Sequence, residues 1–198
     1  MLYDWKENRT MALSNGITEE DTGSDNTVMR LTSDCSVNYG NTFRNFSRIK
    51  FQKQRIEHCV FEDCDLIIME DCIINDCIFE NTNIVKAVSS TISNSRFRDI
   101  TCTFSDSIIV IEQCDIINCT FEKLKLYNKS YLIDADIASW VEACTFTDIQ
   151  SSRFDKALIH TSQKKHGFFS WGKKPCVVDK ASCEGLDPKK VLSLPNHP

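Results

Sequence analysis

One pattern of inward and outward residues is laid down almost twice between Gln54 and Lys86, and it constrains the fold more than any other feature of the chain. Gln54-Arg55-Ile56-Glu57-His58, Cys59-Val60-Phe61-Glu62-Asp63 and Cys64-Asp65-Leu66-Ile67-Ile68 are followed by the remainder Met69-Glu70-Asp71. Cys72-Ile73-Ile74-Asn75-Asp76, Cys77-Ile78-Phe79-Glu80-Asn81 and Thr82-Asn83-Ile84-Val85-Lys86 repeat it, so Phe61 returns as Phe79 after eighteen residues. A short fixed period marks a solenoid, whose coils bury their apolar faces only by stacking on one another.

The same frame gives a block from Ser36 to Lys53 carrying Phe43, and one from Ser90 to Ser107 carrying Ile92, Phe97 and Cys102. Longer blocks follow, Ile108 to Tyr131 with Phe121 and Leu132 to Lys156 with Phe146. Their additions, Ile108 to Glu112 and Leu132 to Asp136, alternate apolar and polar residues and read as an extra short strand or a widened side. About six coils result, and the expected domains are an N-terminal cap or arm over 1–35, a solenoid over 36–161 and a basic aromatic segment over 162–198.

Eleven cysteines would ordinarily suggest a secreted disulfide scaffold. Here Cys59, Cys77, Cys119 and Cys144 share one inward position two residues before the Phe, and Cys64, Cys72, Cys102 and Cys114 fall at other inward positions. Small thiols fill such places well. The pairs Cys59/Cys64, Cys72/Cys77 and Cys114/Cys119 have zinc-like spacing, but the frame puts the two members of each on different walls. No metal and no cofactor is therefore expected, and the thiols are read as reduced and structural. A polar, acidic N-terminus without a charged-then-apolar leader, and no apolar run near the ~20 residues of a membrane span, point to the cytoplasm.

The segments Cys64-Asp65-Leu66, Cys114-Asp115-Ile116 and Cys119-Thr120-Phe121 resemble the small-polar-Leu/Phe centre of pentapeptide-repeat proteins. The turn residues and uneven coil length resemble the wider right-handed β-helix class that includes pectate lyases. The resemblance covers about Ser36 to Thr161. It implies an all-β, right-handed parallel β-helix with coils of 18–25 residues, an N-terminal cap and a C-terminal tail. The fifth position of the Phe pentad reads Asn45, Asp63, Asn81, Asp99, Lys123, Asp148, a stacked turn column in which Asn and Asp tolerate left-handed backbone. A left-handed hexapeptide helix also has coils of eighteen residues, but its apolar positions recur at six, and these recur at five, five and eight.

On the outer walls, the fourth position reads Arg44, Glu62, Glu80, Arg98, Glu122, Thr147. Glu62 and Glu80 could in principle do acid–base work, yet Arg98 beside Glu80 makes a mixed-sign ladder a sufficient account. No catalytic residue is assigned. Ile49, Ile67 and Val85 share one position that the frame turns outward, as do Val60 and Ile78, giving an apolar stripe that the chain's own ends or a partner would cover.

Residues His160 to Pro198 carry seven Lys against three acids, whereas Met1 to Asp34 carry three Lys/Arg against seven acids. Between two lysine pairs lie Phe168, Phe169 and Trp171, followed by Lys173 and Lys174. These aromatics either plug the last coil or seat in a partner's pocket; membrane adsorption and nucleic-acid stacking are the weaker readings. The function expected is a non-enzymatic interaction or scaffold solenoid that binds a protein partner, or a second copy of itself. Its contacts would be Ile49, Ile67, Val85, Phe168, Phe169, Trp171, Lys173 and Lys174. The alternatives are the duplex-DNA mimicry by which some pentapeptide-repeat proteins block topoisomerases, and a polysaccharide-active β-helix enzyme. Against the first, Arg44, Arg96 and Arg98 interrupt any phosphate-like track and the net charge is only −5.

Overall fold

The structure, a computed structural model, describes residues 2–4, 17–20, 28–32, 37–102, 107–126, 131–136, 138–151, 159–161 and 177–179. Every regular element among them is a strand, and the 23 strands form three sheets of nine, six and eight.

One coil shows how the chain fills all three. Ile73–Asn75 lies in the six-stranded sheet, Ile78–Glu80 in the nine-stranded and Ile84–Val88 in the eight-stranded. Thr91–Ser93 then returns to the six-stranded sheet and pairs in parallel with the strand it left, Ile73 opposite Thr91. Every pairing is parallel except that of Ile17–Glu20 with Val28–Thr32. Val28–Thr32 and Leu2–Asp4 extend the eight- and nine-stranded sheets at one end, and Val177–Asp179 extends the nine-stranded sheet at the other. The chain is an all-β parallel β-helix.

Its corners are built by backbone rather than glycine. Gly40, His58, Asp76, Asn94, Asn118 and Ala143 form one corner column with positive φ, and Asn45, Asp63, Asn81, Asp99, Lys123 and Asp148 a second. Lys53, Asp71, Ser89 and Gln113 form the third. A residue in this region turns the chain through one corner. The residue after it is usually a small buried one, Cys59, Cys77, Ser95, Cys119 and Cys144 at the first corner and Cys72, Ser90 and Cys114 at the third. Thiol and hydroxyl groups there bond backbone: Ser90 Oγ accepts from the Cys72 N–H at 3.0 Å and donates to the Val88 carbonyl at 2.8 Å.

Inside, Phe43, Phe61, Phe79, Phe97, Phe121 and Phe146 are wholly buried and stacked, with successive ring centroids 4.5–5.1 Å apart. Ile56, Ile74, Ile92 and Ile116 line the six-stranded wall from within. Each such side chain contributes on the order of 1.5–3 kcal/mol by burial, and each is buried only because the next coil covers it.

Two expectations are corrected. Ile49, Ile67 and Val85 face the core, each with no exposed surface. The third wall is one eight-residue side, not a pentad plus a remainder. Asn83 and Ile84 both point outward in succession, as do Asp65 and Leu66, so alternation resumes one residue late. A slip of one residue sends every later side chain to the other face. Ile67 and Met69 therefore point inward, while Ile68 is left half-buried outside. Secondly, the longer coils do not widen at Ile108 to Glu112 or Leu132 to Asp136. Those segments take ordinary places in the eight-stranded sheet, Val85 opposite Ile109 and Ile109 opposite Ile133. The extra length lies past the second corner, where Thr120–Leu126 and Thr145–Ser151 continue beyond Lys123 and Asp148 and stay paired, Leu124 opposite Ile149. The short strand Thr101–Cys102 joins this side.

Candidate interaction face

The carboxylates that invited an enzymatic reading are ion-paired along the nine-stranded wall. Arg44 meets Glu62 at 2.5 Å and Arg98 meets Glu80 at 2.5 Å, in each case across one coil, and Arg96 reaches Glu122 at 3.7 Å. The pairs are about one-third exposed, which keeps them in water's reach and limits each to ~0–1 kcal/mol. Glu62 and Glu80 each answer to a guanidinium, and Arg44 and Arg98 alternate with acids along the column, so the wall carries a mixed-sign ladder rather than a continuous anionic track.

The cysteines pack. Cys59, Cys64, Cys72, Cys77, Cys114, Cys119 and Cys144 are buried free thiols. Most donate to a backbone carbonyl, Cys59 Sγ to Asn38 O at 3.3 Å and Cys72 Sγ to Glu70 O at 3.2 Å. Burial pushes the Cys64 thiol up to about 12 and raises Cys72 and Cys114 in the same direction. Cys77 is held neutral by its thiol–thiol hydrogen bond to Cys59 and by burial. A nucleophile needs the thiolate and access to it; thiol hydrogen bonds from Cys77 and Cys144 draw Cys59 and Cys119 down, but all seven groups are buried. Cys59 and Cys64 sit at different corners, and among the described residues no three His, Cys, Asp or Glu side chains are placed to share a metal ion. The side chain of Cys102 lies outside the described residues.

The most exposed large apolar side chains collect on the six-stranded wall. Among the described residues the exposed large hydrophobic ones are Val37 (57%), Tyr39 (63%), Ile73 (54%) and Trp140 (43%), and all four belong to the six-stranded sheet. Register places three of them in one row, Val37, Arg55, Ile73, Thr91, Asp115, Trp140, each residue opposite the next on neighbouring strands. Beside it runs the outward row Tyr39, Glu57, Asn75, Ser93, Ile117, Glu142. At one end Tyr39 meets His58 edge-on at 4.9 Å, and His58 Nδ1 lies 2.7 Å from Asp76. Along the first corner Asn118 donates to Asn94 at 2.7 Å and Asn94 to Asn75 at 2.7 Å, a ladder that stiffens the rim of this wall.

Of the residues that sequence reading assigned to a partner, Ile49, Ile67 and Val85 are core. Phe168, Phe169, Trp171, Lys173 and Lys174 lie outside the described residues. Val60 and Ile78 do point outward, half-buried on the nine-stranded wall. The Val37–Ile73–Trp140 row was missed, because Arg55, Thr91 and Asp115 stand between its apolar members.

Three parallel sheets closed around stacked side chains define a β-helix, similar in its short repeating coils to the pentapeptide-repeat solenoids. A scan of protein-family models returns no match, and no curated protein matches by sequence. Among solved structures the chain is similar to a trypsin-treated variant of QnrB1, described as a plasmid-mediated fluoroquinolone resistance protein. The likeness has a TM-score of 0.33 at 13% identity and covers 76% of this chain and 88% of that one.

Proposed function

We propose that this β-helix is a non-enzymatic interaction protein that holds a protein partner against its six-stranded wall. The observation that carries this reading is the gathering of Val37, Tyr39, Ile73 and Trp140 on one wall, with three of them in a single register row. Trp and Tyr are the side chains that most often dominate binding energy at protein interfaces, and a β-helix supplies them from a rigid backbone that pays little ordering entropy on contact. The ion-paired ladder of the nine-stranded wall is satisfied within the chain and offers a partner less.

In this reading the basic aromatic segment around Phe168, Phe169, Trp171, Lys173 and Lys174 is a second contact, and the protein works in the cytoplasm, where thiols stay reduced. Affinity capture from lysate of the source cell tests the wall, comparing the full chain with Ile73→Lys and with Thr120→Lys on the nine-stranded wall. The partner should be lost with Ile73→Lys and kept with Thr120→Lys, both variants retaining the native circular dichroism. Retention by Ile73→Lys would overturn the assignment of the wall.

A further inference from the structure

We propose that the partner offers a cationic side chain, carried on a basic protein segment, to a slot formed by Trp140, Asp115 and Glu142 at one end of the six-stranded wall. The inference rests on the reading of that wall as the contact surface and adds the chemistry of what it contacts. Asp115 stands directly opposite Trp140 on the neighbouring strand, and Glu142 lies two residues along from Trp140 on the same outward side. Adjacent strands are ~4.8 Å apart and residues two apart are ~6.8 Å apart, so both carboxylates stand at positions next to the indole.

On the three walls most outward strand carboxylates are already paired. On the nine-stranded wall Glu62, Glu80 and Glu122 each have an arginine, and on the eight-stranded wall Glu70 and Glu112 have Lys50 and Lys86. On the six-stranded wall Glu57 is held by Arg55 and Asp76 by His58. Asp115 and Glu142 have no ion-pair partner among the described residues. Glu142 Oε2 is moreover sealed from solvent with no hydrogen-bond donor, a state that a buried carboxylate oxygen does not hold without cost. Trp140 beside it is 43% exposed. A cation over an indole face with two carboxylates at hand gains from both, and the guanidinium matches a carboxylate with two parallel N–H donors.

The probe is a fluorescein-labelled heptapeptide alternating Arg and Val, with a Glu/Val peptide as its opposite, titrated by anisotropy into the full chain. The Arg peptide should bind and the Glu peptide should not. Asp115→Asn with Glu142→Gln should weaken the Arg peptide about tenfold, and Trp140→Leu severalfold. Asp63→Asn with Asp65→Asn makes the same charge change at the corner remote from this wall and should leave binding within about twofold. Equal weakening by that control, or indifference to the first double variant, overturns the slot. If Lys164→Ala with Lys165→Ala tightens the peptide, the chain's own basic segment is the occupant; if the chain sediments as a dimer that Trp140→Leu dissociates, a second copy is. Either result overturns the partner. Should Ile73→Lys abolish capture of a partner while the Arg peptide proves indifferent to Asp115 and Glu142, the slot falls and the wall reading stands; if Ile73→Lys is also without effect, both fall.

Discussion

Phe79 and Phe97 stand opposite each other on neighbouring coils, with ring centroids 4.5 Å apart and planes within 5° of parallel. The spacing of parallel strands imposes this. Identical rings on strands ~4.8 Å apart fall into one column, and the column runs from Phe43 to Phe146. Phe79→Ala should open a cavity beneath two neighbouring rings and cost about 3–5 kcal/mol. Urea unfolding followed by circular dichroism measures it. A loss below about 1 kcal/mol would mean that the rings are not packed as described.

On the outer side of the same strand, Glu80 pairs with Arg98. Glu80→Gln should cost less than about 1 kcal/mol, and a double-mutant cycle with Arg98→Ala should return a coupling of ~0–1 kcal/mol that shrinks in high salt. Coupling of several kcal/mol, insensitive to salt, would point to a shielded pair rather than a solvated ladder.

Ala143 occupies a corner whose equivalent positions hold Asn94 and Asn118, and it does so with φ of 54°. An alanine in the left-handed region is strained, whereas asparagine tolerates it and would continue the side-chain ladder from Asn118 to Asn94. Ala143→Asn should raise stability by about 1 kcal/mol, read from the shift in urea midpoint at unchanged slope. A destabilised variant would show that the corner at Ala143 is not shaped like the two before it.

Burial raises the Cys64 thiol from 9.0 to about 12 in the folded chain. The group is an acid whose neutral form the fold prefers, so the unfolded chain loses its proton first as the pH rises. The stability from this site is complete below pH 9 and declines from there to about pH 12. Comparing urea midpoints of the wild type and Cys64→Ala across that range isolates it: the gap between the two should narrow as the solution becomes alkaline. Parallel curves would refute the effect.

Much of this architecture was legible because each coil repeats a few residue types at fixed offsets. Phe61 and Phe79 mark the ring column, Asp63 and Asn81 the second corner, Cys59 and Cys77 the small filler at the first. The eight-residue wall was not legible as such. Asp65 and Asn83, which put two outward residues in succession, look like any polar loop residue. Only the hydrogen bond from Asn83 to Asp65 at 2.8 Å shows them to be a ladder of their own. Missing that step turned Ile67 and Val85 outward on paper. The exposed apolar row stayed hidden for another reason: Trp140 joins Val37 and Ile73 only once the long coil between Asp115 and Trp140 is wound and register brings the two opposite.

The most direct test places a photo-activatable benzophenone amino acid at one outward position on each wall of the full chain, Ile73 on the six-stranded, Thr120 on the nine-stranded and Val110 on the eight-stranded. Irradiation in lysate should yield a discrete protein adduct from position 73 and none from 110 or 120. An adduct from 110 or 120 with none from 73 would contradict the assignment of the six-stranded wall as the binding face.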